Sequence, residues 1–318
     1  MDDPKLVAEL TNAMHDGCDG KLPVTVKCRI GTDTLEPFTK DGYAEIDTES
    51  EYSRLCNFIE TVASNSPVTD FSVHARIAVL RKSFSPADNR KIPPLKYDFV
   101  HRLARDYPEL TFTLNGGIDT LSQAHDQLNQ YPDLNGIMIG RGFVADPWGF
   151  AVADSLLYEH GAIGCTAPKN RLEILTEYGK HADAEEEHGD PTKIRRFITK
   201  AVSTLFTAEP KAKRYRIALD EIGGMPKKLK REGKSLDGTP LLSELILNAA
   251  QTHLSEEVLL KSPEESYEEK LHNERKSALQ SGRSSAVADW QLERIREQKE
   301  NGIGNYEAAL SGSLNTPN

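Results

Sequence analysis

The sequence predicts an α/β fold in which half of a (β/α)8 TIM barrel is followed by an all-α domain and a disordered tail. Four short β-type runs alternate with helical patterns, which is typical of parallel strands with helices packed outside them. Polar or glycine residues follow the end of every run, at the edge where a barrel carries its function. After about residue 170 only helical patterns occur, and then a polar tail with few apolar residues.

Size and composition set the domain plan. A chain of 318 residues can form one large core, or a main domain with a smaller one. Only 38% of the residues are hydrophobic and 28% are charged, so part of the chain is expected not to pack. The expected domains are the half barrel (1–165), the helical domain (166–250) and the tail (251–318). The net charge of −10 argues against a wholly nucleic-acid-binding surface but allows a local basic patch.

The cysteines suggest reduced thiols. Cys18, Cys28, Cys56 and Cys165 show neither a CxxC spacing nor a metal-finger pattern, so we expect an intracellular setting, cytoplasmic or organellar, and no metal. His15 lies three residues before Cys18, but no second ligand pair follows, and a surface turn is the simpler interpretation. No run of about 18 apolar residues occurs in the sequence, so no membrane contact is expected.

The first elements are a helix and a strand. Residues 4–14 predict a helix with Pro4 near its first turn. Its apolar side chains share one face: Leu6, Val7, Leu10 and Met14. The run VTVKCRIG (24–31) predicts a strand that carries Lys27 towards its end. Residues 32–50 have turn composition and are expected to form a loop insertion.

Three further strands follow, each with its helix. The apolar stripe of residues 52–62 predicts a helix, and DFSVHAR (70–76) predicts a strand ending near His74. A long polar loop, which contains Arg90, leads to a helix over 97–107. Residues 110–141 supply two strands and the helix between them, and Asp146-Pro147-Trp148 begins a helix that runs to about Tyr158.

Two consecutive strand ends predict a phosphate site. The first ends in Asn115-Gly116-Gly117 and the second in Gly140-Arg141. Glycines let a phosphate approach backbone N–H groups, and the arginine adds a fork of donors. These glycines could serve turns alone, but their repetition favours phosphate. Lys27 could equally be a salt-bridge partner and His74 a hydrogen-bonded core histidine.

The helical region carries a basic patch on an acidic protein. Between residues 192 and 231 only Glu209, Asp220 and Glu221 oppose twelve cations: Lys193, Arg195, Arg196, Lys200, Lys211, Lys213, Arg214, Arg216, Lys227, Lys228, Lys230 and Arg231. Such a patch suits phosphate backbones, although a solvated helix surface has the same composition. After about residue 255 we expect disorder, with isolated Trp290 and Tyr306 and a transient helix over 289–299.

Several of these motifs resemble one known family. VTVKCRIG, HARIAVLRKSFSPADNRKIPPLKYD, LTFTLNGGI, GIMIGRGFVADPWGF and LFTAEPKAKRYRIAL are similar to segments of the A-type tRNA-dihydrouridine synthases, over roughly residues 4–220. The resemblance implies an FMN-binding barrel, followed by a helical domain that helps to grip tRNA. It implies reduction of uridine to dihydrouridine in tRNA, with NADPH as the reductant.

The resemblance also assigns roles to residues. Lys27 would face the flavin ring and His74 would be a second ring contact. The FMN phosphate would be held by Asn115, Gly116, Gly117, Gly140 and Arg141. Arg90, Lys213 and Arg216 fall where the family meets tRNA.

The chain departs from the family in one decisive respect. The family's proton donor is a cysteine in an Asn-x-Gly-Cys-Pro loop, and this motif is absent from the sequence, so no catalytic residue is assigned. The four strands therefore correspond to strands five to eight, and we expect two open strand edges, half of an apolar barrel interior and no activity without the first half of the barrel. The alternatives are a non-catalytic tRNA-binding remnant and another phosphate-binding barrel enzyme that acts on a small metabolite.

Overall fold

A computed structural model describes residues 1–33, 48–157, 168–236 and 238–280. The chain divides into two compact units. Unit 1 comprises residues 1–119 and 123–140, and unit 2 comprises residues 120–122 and the chain from Arg141 onward. The division by packing therefore falls at residue 140, earlier than the expected boundary at 165. Several expectations lie outside the described residues: most of the 32–50 insertion, the helix end at Tyr158, Cys165, Trp290, Tyr306 and the helix over 289–299.

The elements alternate as predicted in the first part of the chain. They are α1 (Pro4–Gly17), β1 (Val26–Arg29), α2 (Thr48–Asn65), β2 (Asp70–His74), α3 (Asp88–Lys91), α4 (Tyr97–Asp106), β3 (Thr111–Asn115), α5 (Leu121–Gln130) and β4 (Gly136–Met138). The strands form one parallel sheet in the order β1-β2-β3-β4. This confirms the α/β class and the parallel pairing, with β1 and β4 as the outer strands.

The two faces of the sheet differ in chemistry. Val26, Phe71 and Phe112 are buried register partners on one face, and they join one apolar cluster with α2 and α4. Because side chains alternate along a strand, the residues between them lie on the opposite face. We call this the polar face; it carries Lys27, Arg29, Ser72, His74, Thr113 and Asn115. On β1, β2 and β3 this face is therefore polar, whereas the sequence predicted an apolar surface there as the interior of a barrel.

Helix α1 begins as predicted but buries a different face. The Asp3 carboxylate accepts a hydrogen bond from the Leu6 backbone N–H (3.0 Å), and Pro4 opens the first turn. The buried positions are Ala8 and Thr11. The apolar stripe is instead solvent-exposed, with Leu6, Leu10 and Met14 exposing 49%, 56% and 62% of their surface. An exposed stripe of this kind is typical of a surface that packs against another polypeptide.

Unit 2 is entirely helical in its described part. It contains α6 (Arg141–Ala145), a 3-10 turn (Pro147–Phe150), α7 (Ala153–Leu157), α8 (Arg171–His188), α9 (Pro191–Val202), α10 (Ala212–Arg231), α11 (Leu242–His253), α12 (Glu256–Leu260) and α13 (Pro263–Gln280). The expected continuous helix from Asp146 is thus broken into two short pieces. The Asp146 carboxylate accepts from the Gly149 N–H (3.2 Å) and caps the 3-10 turn.

Helices continue beyond residue 251, where the sequence predicted the start of a disordered tail. Residues 256–280 form α12 and α13, and Val258 and Leu259 are buried in the same cluster as α8 to α11. Tyr267 and Leu271 of α13 pack with Val152 and Leu156. The expectation of disorder from residue 251 is therefore wrong as far as residue 280, because a few apolar residues at helical spacing outweigh a polar average composition. Among the described helices, none is long and apolar enough to cross a bilayer.

Candidate functional site

Two arginines organise the loop that follows β2. Arg29 ends β1 and donates from Nη1 to the backbone carbonyls of Ile77 (2.9 Å) and Asn89 (3.0 Å). Arg76 donates from Nη1 to the carbonyl of Lys91 (3.4 Å) and to that of Pro93. A guanidinium presents several donors in a fixed plane, so each arginine ties two points of the loop together. The loop is consequently attached to the carboxyl ends of β1 and β2.

Side-chain hydrogen bonds inside this loop give it a fixed shape. The Asn89 amide donates to the Val79 carbonyl (2.7 Å) and accepts from the Val79 N–H (2.8 Å). The Asp88 carboxylate accepts from both the N–H and the hydroxyl of Ser85 (3.1 and 2.9 Å). The polar segment predicted as a plain loop is therefore ordered around α3. Sequence reasoning missed these roles, although Asn89 and Arg90 stand in the NRKIPPL segment that carried the resemblance.

A glycine turn follows β3 at the same edge of the sheet. Gly116 and Gly117 have φ angles of +113° and +71°, which favour glycine. A Cβ on Gly116 would lie 2.8 Å from the His74 ring, and one on Gly117 would lie 2.6 Å from a methyl of Leu95. The Tyr97 hydroxyl donates to the Gly116 carbonyl (2.6 Å). The turn is thus closely packed from both sides.

His74 and Asn115 lie side by side on the polar face. They are register partners, and Arg29 occupies the same row on β1. The Asn115 amide donates to the carbonyl of Met138 (2.7 Å), so it links the ends of β3 and β4. The ring edge of His74 faces Gly116. Of the residues assigned to FMN, the structure therefore brings His74, Asn115, Gly116 and Gly117 into one group.

Lys27 lies on the same face, one row further from the carboxyl edge. Its register partner is Ser72, and its side chain is exposed. Cys28 lies on the opposite, helix-covered face, where burial raises the pKa of its thiol to about 12. The Cys28 thiol thus stays protonated at neutral pH, and it lies on the face of the sheet opposite to Lys27.

The two remaining phosphate candidates are consecutive in the chain but belong to different units. Gly140 is exposed at the end of unit 1, and no described atom lies within 4 Å of the position its Cβ would take. Arg141 begins α6 in unit 2, and its side chain is exposed. An alanine at position 140 would therefore meet no steric obstacle from the described residues.

The cations assigned to RNA are all solvent-accessible. Arg90 is exposed on α3, and Lys213 and Arg216 are exposed on α10. Burial lowers the pKa of Arg29, and the nearby positive charges of Arg76 and Arg90 lower it further. This mutual repulsion marks a concentration of positive charge at the loop, which an anion would relieve.

One residue of the predicted basic patch does not belong to it. Arg195 is buried, and its Nη2 donates to a carboxylate oxygen of Glu186 (3.0 Å). It neutralises Glu186 inside unit 2 and is not available to RNA. As for metals, the described side chains include no group of three or more His, Cys, Asp or Glu residues placed to hold an ion.

Comparison with known proteins agrees with the motifs. The profile of the family described as Dihydrouridine synthase (Dus) matches residues 1–239. A tRNA-dihydrouridine(20/20a) synthase of Synechocystis sp. is 34% identical over 221 residues, which make up 70% of this chain and 58% of the relative. Its namesake from Shewanella oneidensis is 36% identical over 222 residues with the same coverage. Another, from Pseudomonas syringae, is 42% identical over 155 residues, or 49% of this chain and 40% of the relative.

The chain spans 58% of the length of the first two relatives. The segment matched by the family profile includes the strands that carry the polar face, the glycine turn, α9 and the whole of α10. The resemblance stated from the sequence motifs is therefore confirmed, and the chain belongs to the dihydrouridine synthase family.

Proposed function

We propose that this chain contributes the FMN-holding and RNA-contacting parts of an enzyme that reduces uridine to dihydrouridine in tRNA, with NADPH as the reductant. One observation carries the proposal: a member of this family places His74 and Asn115 side by side on a polar face, directly beside a positive-φ glycine turn. In this proposal the four strands are strands five to eight of a (β/α)8 barrel.

The residues at this edge suit a flavin mononucleotide. Its phosphate is an anion, and the backbone N–H groups of the glycine turn and of Gly140, with the Arg141 guanidinium, would hold it. Lys27 would place a cation beside the flavin ring and His74 would contact the ring from the neighbouring strand. A bound flavin would supply redox chemistry: its reduced form would be the hydride source for C6 of uracil, and NADPH would be the reductant that restores that form. The role of Lys27 would be electrostatic, because its ammonium group would stabilise negative charge on the flavin ring.

We propose that the proton for C5 of uracil comes from a group outside the described part of the chain. Cys28 and Cys56 pack against the apolar cluster on the helix-covered face of the sheet, and Cys18 lies directly after α1, before β1 begins. We therefore propose that the first half of the barrel is a partner of this chain, whether covalently linked or separate. The exposed stripe of α1 and the outer edge of β1 would receive it.

The proposed substrate is tRNA, which implies an intracellular setting. Arg90 at the strand ends, and Lys213 and Arg216 on α10, would bind RNA phosphates. The uridine would have to leave its stack to reach the flavin. Lys213 and Arg216 are three residues apart on one exposed face of α10, which allows both side chains to approach the same stretch of backbone.

The proposal is tested by complementation. The 318-residue chain is incubated with tRNA, FMN and NADPH, alone or with a polypeptide that contains the first barrel half of a relative. Dihydrouridine, measured by mass spectrometry of tRNA nucleosides, is expected only with both polypeptides, and Leu10→Glu on α1 should prevent it. The matched variant Leu241→Glu changes an exposed leucine directly before α11 in unit 2 and should leave dihydrouridine formation intact. Dihydrouridine formed by the chain alone would contradict the need for a partner.

A second function is favoured by the absent cysteine motif together with the exposed cations. In it the chain is a non-catalytic tRNA-binding remnant that no longer holds flavin. This alternative predicts binding of tRNA without binding of FMN, whereas the first proposal requires both.

A further inference from the structure

Helix α9 presents an aromatic side chain to solvent. Phe197 exposes 72% of its surface, more than any other aromatic side chain in the described ranges. The core-facing positions of α9 are Arg195, Ile198, Thr199 and Val202, so Phe197 lies on the other side of the helix. Most of its apolar surface therefore lies outside the packing of unit 2. Single exposed apolar residues are common, so exposure alone would mean little.

What distinguishes Phe197 is that cations surround it on the same helix. Lys193 lies one turn before it, Lys200 one turn after it, and Arg196 directly beside it, and all three are exposed. The nearest acid on this helix is the capping residue Asp190, whose carboxylate already accepts hydrogen bonds from Thr192. These hydrogen bonds lower the pKa of Asp190, and the charges of Lys193 and Lys230 lower it further. The surroundings of Phe197 are thus positive.

Helix α10 adds cations to this surface. A Cβ on Gly223 would lie 2.8 Å from the Thr199 hydroxyl and 3.4 Å from the Cα of Arg196, so the two helices are packed closely there. Residues seven positions before and after Gly223 lie about two turns away on the same stripe of α10. Arg216 and Lys230 occupy those positions, and both are exposed. One acid, the exposed Asp220, lies on this stripe three residues before Gly223, and the exposed Lys227 lies four residues after it. Cations therefore outnumber acids along the seam between α9 and α10.

We propose that Phe197 stacks against an unpaired nucleobase of the bound RNA, while Lys193, Arg196 and Lys200 contact the flanking phosphates. An aromatic ring framed by cations is the combination that binds single-stranded nucleic acid, because every base has a face for stacking and every nucleotide carries a charge. A protein partner would need a broader apolar patch, and the exposed neighbours of Phe197 on α9 are three cations and Ala201. This inference rests on the proposed function, since it takes RNA as the ligand.

The test compares substitutions at Phe197 in the full chain. The ligands are tRNA, a twelve-nucleotide oligouridylate and a blunt RNA duplex of the same length. Loss of one base stack corresponds to roughly 5- to 150-fold weaker binding of the oligouridylate by Phe197→Ala. Phe197→Trp should bind as well as the wild type, and duplex binding should change in neither variant. Ile217→Ala removes an exposed apolar side chain from α10 and is the matched control.

The salt dependence separates stacking from charge. In Phe197→Ala, the logarithm of the RNA association constant should depend on the logarithm of the salt concentration with the same slope as in the wild type. In Lys200→Gln, the magnitude of this slope should fall by about one. Oligouridylate binding that is unchanged in Phe197→Ala, or fully retained in Phe197→Leu, would overturn the stacking role and leave the proposed function intact. A wild-type chain that binds no tRNA at low salt would overturn both, and FMN binding by unit 1 is measured separately.

Discussion

Replacing Gly117 by alanine tests whether the turn after β3 requires glycine for its own conformation. The φ of +71° costs a residue with a Cβ about 1–2 kcal/mol. The new methyl would also lie 2.6 Å from Leu95 Cδ1 and 3.1 Å from the Tyr97 hydroxyl oxygen. Overpacking of this kind costs about 1–3 kcal/mol. We expect the free energy of unfolding of unit 1 to fall by about 2–5 kcal/mol.

Gly140→Ala is the matched control, because it adds the same methyl group at the same edge of the sheet. Its φ is outside the left-handed range, and the described atoms leave the Cβ position open. The free energy of unfolding should change by less than about 0.5 kcal/mol. If a phosphate approaches the backbone at this residue, however, the methyl group will weaken the binding of FMN.

The assay is hydrogen exchange followed by mass spectrometry in increasing urea. It is needed because the sequence of unit 1 contains no tryptophan and Trp148 belongs to unit 2. Peptides that cover β2 and β3 should lose protection at lower urea in Gly117→Ala than in Gly140→Ala. Equal protection in the two variants would refute the account of the turn.

Three other predictions concern single side chains. Tyr97→Phe removes the hydrogen bond to the Gly116 carbonyl and should cost about 0.5–1.5 kcal/mol, seen as faster exchange in peptides that cover the turn; unchanged exchange would contradict this. Arg195→Met leaves Glu186 unpaired and should destabilise unit 2 by about 3 kcal/mol in urea unfolding followed by Trp148 fluorescence, whereas a loss below about 0.5 kcal/mol would mean that the pair is dispensable. Burial lowers the pKa of His101, so the unfolded chain takes up this proton first and the free energy of unfolding falls as the pH drops below about 6.5. Between pH 7 and pH 5 the wild type should therefore lose more stability than His101→Gln, and equal losses would exclude this contribution.

The parallel sheet could be predicted because its signals are local. Alternation along β2 and β3 and glycine at the strand ends are properties of neighbouring residues. The helix after β1 was also predicted, from its apolar stripe. What packs against one face of a sheet depends on residues that are distant in sequence. We therefore expected an apolar surface where the structure has the polar face.

Other features depend on partners distant in sequence. Arg29 finds its acceptors at Ile77 and Asn89, and Arg195 finds Glu186 on another helix. A count of charges cannot separate such buried arginines from solvated ones. The order of α12 and α13 likewise depends on a few apolar contacts that an average composition hides. The apolar stripe of α1 has the spacing of a core-facing helix, but the structure exposes it to solvent. Periodicity predicts that one face is apolar and does not identify the partner that would cover that face.

A titration of FMN with the purified 318-residue chain tests the central claim most directly. Flavin fluorescence should be quenched as the wild-type chain binds FMN. Lys27→Met and Gly140→Ala should each weaken binding about tenfold while the hydrogen exchange of unit 1 stays unchanged. Absence of quenching, or binding that neither substitution affects, would contradict the assignment of the flavin site and favour the tRNA-binding remnant.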